Sequence, residues 1–173
     1  MFIFDEVDKL PEGLLDALRP FMDHSAIIDG VDMSQCMFLL LSNTGGKEIT
    51  KKSYEAWEEG KRREDLRLSD FENMILKGAF NEVGGLKKSA IIDKSVIDVY
   101  IPFLPLEQQH VRQCAGRNLL DRGYVIDQPI IQEIIRQIVL DMSFWPQESP
   151  LYSTTGCKRV AQKVDELLYE HNL

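Results

Sequence analysis

The sequence has no apolar run approaching the ~20 residues that a membrane-spanning helix needs, and it opens without the charged-then-apolar pattern of a secretory leader. Phe2 to Phe4 is too short for either and runs straight into acids, so the chain as written carries no targeting information. Cysteine is scarce: Cys36, Cys114 and Cys157 lack zinc spacing, and an odd number specifies no disulfide framework. His24, His110 and His171 are scattered, none with a liganding neighbour at helical or C-x-x-C spacing. A metal centre or a Ser-His-Asp triad therefore finds little support, and non-catalytic roles are expected for all three. Basic residues are outnumbered, 20 against 28, and the net charge of −8 argues against a nucleic-acid partner, which needs a basic face. No internal repeat or low-complexity tract is present.

What is there describes an ordinary globular chain. Its 173 residues suffice for one domain or for one and a half small ones, and 44% hydrophobic with 28% charged residues excludes a disordered composition. Two continuous apolar runs, Phe2-Ile3-Phe4 and Cys36-Met37-Phe38-Leu39-Leu40-Leu41, read as buried strands. Between them Pro11 precedes Leu14, Leu15, Leu18, Phe21 and Met22, the spacing of one helical face. Residues 23–34 read as a loop. Strand, helix, strand with turn residues at the exit predicts a parallel sheet covered by helices on both faces.

Residues 47–82 read as two charged helices joined by a solvated stretch around Lys61-Arg62-Arg63-Glu64-Asp65, and Gly84-Gly85 as a loop. Asp93 is expected to cap a short segment through Ile97. Residues 99–106, with Pro102 and Pro105, form an extended hinge. The pattern then becomes all-helical: residues 107–122 up to Gly123, a stripe from Ile130 to Met142 with Asp127 as cap candidate ahead of Pro129, and residues 156–169. The expected division is an α/β part, 1–104, and a small helical unit, 105–173.

Chemistry is sought at the strand exits, where open α/β sheets bind ligands. The first apolar run ends in Asp5 and Glu6, the form of a Walker B element: one acid to hold Mg²⁺, one to polarise an attacking water. Six residues alone read more readily as a core strand running into a solvated turn. Asn43 ends the second run. Parallel neighbours lie about 4.8 Å apart, so its side chain would share a water or phosphate with those acids, or else would satisfy a local turn. Lys158 opens the last helical stretch, where a cation opposes the helix dipole; it is kept either for solvent or for a ligand. Cys114 and Cys157, on the first and last of the three helices, either meet in a disulfide or are two small buried apolar residues.

The order and spacing of these pieces resemble the torsin family of AAA+ ATPases. The resemblance rests on Phe2-Ile3-Phe4-Asp5-Glu6, Leu41-Ser42-Asn43, Tyr100-Ile101-Pro102-Phe103-Leu104-Pro105-Leu106-Glu107 and Gly156-Cys157-Lys158. Pro20-Phe21, Asp29-Gly30-Val31, Arg63-Glu64-Asp65 and Ile92-Asp93 also look like torsin positions. Gly-Cys-Lys is the most discriminating piece, because Clp-type relatives usually carry arginine there.

The resemblance implies a partial AAA+ parallel sheet followed by a helical lid, with ATP and Mg²⁺ as cofactors. It assigns Asp5 and Glu6 to Walker B, Asp5 holding Mg²⁺ through water and Glu6 as catalytic acid. Asn43 becomes sensor 1, Lys158 sensor 2, and Cys114 with Cys157 a redox-linked dithiol. It further implies residence in the endoplasmic reticulum lumen and nuclear envelope, remodelling of proteins or membranes, and stimulation by membrane-anchored luminal activator proteins. Assembly with its own copies or torsin siblings, and peripheral membrane association through an upstream segment, follow in the same way.

Where Clp relatives carry an Asn-Arg finger before Ile-Asp, this chain has Ser95-Val96, so a partner is expected to meet the transition-state charge. No G-x-x-x-x-G-K occurs in it. The 173 residues alone are accordingly expected neither to bind ATP tightly nor to hydrolyse it. A catalytically inactive module that docks the activator or full-length siblings is the competing reading, and an unrelated flavodoxin-like domain a third.

Overall fold

The computed structural model describes residues 1–173 apart from His24, Lys94 and Ser95, with Asp93 described in its backbone only. The readings made for His24 and Ser95 thus lie outside the described residues. The chain divides into two compact units, Met1–Leu104 and Pro105–Leu173.

In the first unit β1 (Phe2–Phe4) leads through a 3-10 turn, Val7–Lys9, to an eight-residue 3-10 helix, Leu14–Phe21. The apolar spacing from Pro11 predicts a longer helix. Gly13, at φ +81°, delays the start, and Pro20 removes a donor near the end, so too few residues remain for α-helical propagation. Residues 23–34, expected as loop, contain a hairpin of β2 (Ile27–Ile28) and β3 (Val31–Asp32). Its two-residue turn has Asp29 and Gly30 both at positive φ, 48° and 79°, which is why the pair is Asp-Gly.

β4 (Phe38–Leu40) returns beside β1 in parallel, Phe2 opposite Phe38 and Phe4 opposite Leu40. α1 (Gly46–Glu58) and α2 (Glu72–Asn81) follow, joined by two 3-10 turns in the charged stretch. The short α3 spans Ala90–Asp93; the segment that Asp93 was expected to cap runs through Lys94 and Ser95, outside the described residues. The N-terminus of α3 is capped from another element: Asp16 accepts from the Ala90 amide at 2.8 Å and from the Ser89 hydroxyl at 2.6 Å. Val7, Leu15, Ala79, Leu86, Ile91 and Ile92 form the core of this unit, with Phe4 and Leu40 packed on it.

The sheet expected to be covered on both faces is covered on one. Phe4 and Leu40 face the core, whereas Ile3 is 55% and Leu39 36% exposed on the opposite face. Side chains alternate across a strand, so a run that is apolar throughout leaves one apolar face bare when only one is packed.

The second unit packs α4 (Gln108–Asp121), α5 (Pro129–Asp141) and α6 (Val160–Glu170) around Val111, Leu119, Ile131, Ile134, Ile138 and Val164. Pro129 takes the first helical position of α5 and Gln128 the cap, one residue beyond the expected Asp127. The unit is not all-helical: β5 (Phe144–Trp145) and β6 (Tyr152–Ser153) form a hairpin between α5 and α6. Tyr152 also bridges Glu107, and the Ser153 amide donates to the Leu106 carbonyl at 2.7 Å, which fixes the start of α4 against the end of the hairpin. His110 is structural: its Nδ1 accepts from the Glu107 amide at 3.0 Å and caps α4. The architecture is mixed α/β with a short parallel sheet, consistent with a partial AAA+ fold and a helical C-terminal subdomain.

Candidate functional site

The parallel ladder runs one step past the strands. The Leu41 amide donates to the Phe4 carbonyl at 2.8 Å and the Val7 amide to the Leu41 carbonyl at 3.0 Å. Asp5 and Glu6 therefore leave the sheet at the same end as Ser42 and Asn43, one strand spacing away. All four residues are exposed.

Glu6 adopts a left-handed backbone, φ 53° and ψ 41°. For a residue with a Cβ this costs about 1–2 kcal/mol. Asp5 Oδ1 accepts from the Glu6 amide at 2.8 Å, while its Oδ2 is unengaged among the described residues. One carboxylate with water is the protein's usual share of a Mg²⁺ site that phosphates complete, so Asp5 fits that ion. Among the described residues no cluster of three or more His, Cys, Asp or Glu side chains makes a self-sufficient metal site. Glu6 forms an ion pair with Lys9, one turn on. The hydrogen bond to Glu6, reinforced by the Asp8 and Asp5 carboxylates, raises the Lys9 ammonium above the ordinary lysine range.

A third acidic residue, Asp8, also joins this end of the sheet. Its Oδ1 accepts from the Asn43 amide at 3.1 Å, joining the two strand exits. Partial burial pushes the Asp8 carboxyl up, but the Asn43 backbone and the Asn43 and Ser42 side chains outweigh this and hold it below the ordinary aspartate range. Behind it, Gly84 and Gly85 run against the backbone of Val7 and Asp8. A Cβ on Gly84 would lie 2.3 Å from the Asp8 carbonyl oxygen and one on Gly85 2.6 Å from that of Val7, so only glycine fits at either position. The glycine pair was readable as a loop, but what it touches was not.

Cys114, Cys157 and Lys158 belong to the second unit. Cys114 on α4 and Cys157, ahead of α6, form a disulfide with Cα atoms 6.3 Å apart. The pair lines a cavity of about 560 Å³ together with Leu106, His110, Arg117 and Asn118, whose buried Oδ1 has no partner among the described residues. Lys158 is exposed in the turn before α6, its amide donating to Thr155, and its ammonium has no ion-pair partner among the described residues. The helix begins two residues later, at Val160, so Lys158 lies outside the first turn where it was expected.

Comparison with known proteins matches residues 106–167 to the family described as the torsin-1A C-terminal domain. A torsin-like protein of Caenorhabditis elegans is 44% identical over 165 residues, 95% of this chain and 46% of that protein. A torsin-like protein of Drosophila melanogaster is 40% identical over 169 residues, 98% of this chain and 50% of that protein. The chain spans about half the length of these curated relatives.

Proposed function

This chain belongs to the torsin family, and from that premise we propose that it carries the hydrolytic edge of a torsin-like AAA+ ATPase. The observation that carries the reading is the shared exit of β1 and β4, which sets Asp5 and Glu6 beside Asn43 through the Phe4–Leu40 register. Bound Mg²⁺ would neutralise charge on the β- and γ-phosphates. Asp5 would hold that ion through water, Glu6 would take the proton of the attacking water, and Asn43 would orient that water. Glu6 must first leave Lys9. An exposed ion pair of this kind is weak, so the pairing is a resting arrangement and not a block. Lys158, whose ammonium has no ion-pair partner among the described residues, supplies a cation for a phosphate in the role of sensor 2. The work of the whole protein is remodelling of proteins or membranes in the endoplasmic reticulum lumen and nuclear envelope, with a luminal activator supplying the missing transition-state cation.

A second reading, a non-hydrolytic module that binds the activator or full-length siblings, is favoured by the bare apolar face around Ile3 and Leu39. One experiment addresses both. The native protein, recovered through an antibody to residues 156–173, is assayed for MgATP turnover with and without the activator. The ATPase reading expects activator-stimulated turnover that falls by about a hundredfold or more in Glu6→Gln. Activator or sibling binding that ignores nucleotide, with turnover indifferent to Glu6→Gln, would establish the second reading instead.

A further inference from the structure

We propose that Asp8 is a positioning residue for hydrolysis: its carboxylate fixes the Asn43 backbone beside Asp5 and Glu6, so that the two strand exits move as one piece. The inference rests on the ATPase reading above and deepens it.

Asp8 is itself held by its neighbours. Its neighbour Val7 is fully buried, with its amide bonded to Leu41 at 3.0 Å and its carbonyl bonded to the Gly85 amide at 3.1 Å. Gly84 closes on the Asp8 carbonyl so tightly that no side chain fits between them. The Asp8 backbone is thereby held on two sides, and its carboxylate becomes a short rigid arm aimed at β4. That arm meets the Asn43 amide at 3.1 Å, with the Asn43 and Ser42 side chains also within reach. A charged acceptor makes this bond stronger than a neutral one.

Two other ties of this turn, the Gly46 amide on the Asn43 carbonyl at 3.2 Å and the Gly45 amide on Glu82 at 3.3 Å, do not reach β1, so Asn43 needs such an arm. It is exposed, it lies past the last regular pair of the ladder, and α1 does not begin until Gly46. The Ser42 hydroxyl and the Thr44 amide and hydroxyl satisfy one another locally, at 2.7 and 3.1 Å. Among the described residues, the Asp8 bond is the one that ties this turn to the strand carrying the two acids. A water-orienting side chain is useful only if its position relative to the base is fixed, since misplacement by about 1 Å costs up to a hundredfold in rate. Asp8 is a carboxylate three residues after Asp5, but its Oδ1 is committed to the Asn43 amide in the turn after β4 and not to a metal.

The test measures kcat, KM for ATP and Asn43 amide hydrogen exchange in the native protein, for Asp8→Ala, Asp8→Asn and Glu6→Gln. Asp8→Ala is expected to lower kcat by about tenfold or more with KM within about twofold, and to speed exchange at Asn43 while Leu41 stays protected. Asp8→Asn keeps an oxygen that accepts from the amide and is expected to recover most of both. A merely structural residue would instead change exchange throughout the unit and be rescued in neither. Unchanged kcat in Asp8→Ala, alongside an inactive Glu6→Gln, would overturn the proposal. If Asp8→Ala fails to fold, Asp8→Glu, one methylene longer, serves in its place, and full retention of kcat there overturns it equally. Turnover indifferent to Glu6→Gln condemns the ATPase reading itself, and exchange at Asn43 then decides alone whether the tether exists.

Discussion

Reducing the Cys114–Cys157 disulfide should destabilise the helical unit selectively, and by an amount the sequence separation sets. The two cysteines are 43 residues apart, so the bond closes a loop covering most of Pro105–Leu173. Treated as chain entropy removed from the unfolded state, a loop of that length is worth about 4 kcal/mol. Native contacts change little, since both sulfurs are half-buried beside the core and remain as small apolar thiols after reduction. At about 4–8 °C per kcal/mol for a unit of this size, the midpoint should fall by roughly 15–30 °C. The two tryptophans separate the units: Trp145 lies in β5 of the second and Trp57 in α1 of the first. Thermal unfolding is followed by fluorescence in Trp57→Phe and Trp145→Phe backgrounds, with and without reductant and in Cys114→Ala/Cys157→Ala. The Trp145 transition should drop while the Trp57 transition stays, and the double variant should match the reduced protein. A loss below about 1 kcal/mol, or an equal loss at Trp57, refutes the reasoning. In the first case the unfolded chain is already restricted, and in the second the units do not unfold separately.

Gly84→Ala sets a Cβ 2.3 Å from the Asp8 carbonyl at a backbone angle of φ +149°, and is expected to cost about 2 kcal/mol or more in urea denaturation; a change within roughly 0.5 kcal/mol would show that the 84–85 segment yields. The Asp8 carboxyl is held below its ordinary value in the folded chain, so its contribution is fully present above the unfolded aspartate pKa and is lost as pH falls through the lowered folded value. The Asn43 amide resonance, followed by NMR against pH, should therefore move with a midpoint below the ordinary aspartate range. A midpoint at or above that range refutes the tether.

The parts legible in sequence were those whose signal is local and repeated. The stripe through Ile131, Ile134, Ile135 and Ile138 specifies α5 because four buried residues recur at one helical period. Phe2-Ile3-Phe4 and Phe38-Leu39-Leu40 specify strands by their unbroken apolar character. The hairpin at 27–32 escaped because two-residue strands have no period to detect, although Asp29-Gly30 was a sufficient turn signal. The cap of α3 escaped for a different reason. Asp16 supplies it from 74 residues away, and no local pattern encodes such a contact. Asp8 is the same case, since its partner Asn43 is 35 residues distant and depends on the β1–β4 register.

That register explains why the nearness of Asp5 and Glu6 to Asn43 was readable although the burial around them was not. An unbroken apolar strand argues for two covered faces, and here Ile3 and Leu39 are bare. Yet the position of Asp5 and Glu6 relative to Asn43 does not depend on what covers those faces. It depends on strand direction and on pairing. Pairing is fixed by Phe2 opposite Phe38, with rings stacked at 5.2 Å, and by the ladder bonds of Phe4, Val7 and Leu41. Parallel direction puts both carboxyl ends on one side, and a one-residue slip would turn Phe4 and Leu40 out of the core. The packed face therefore locks the register, and the register brings the two acids and the asparagine together.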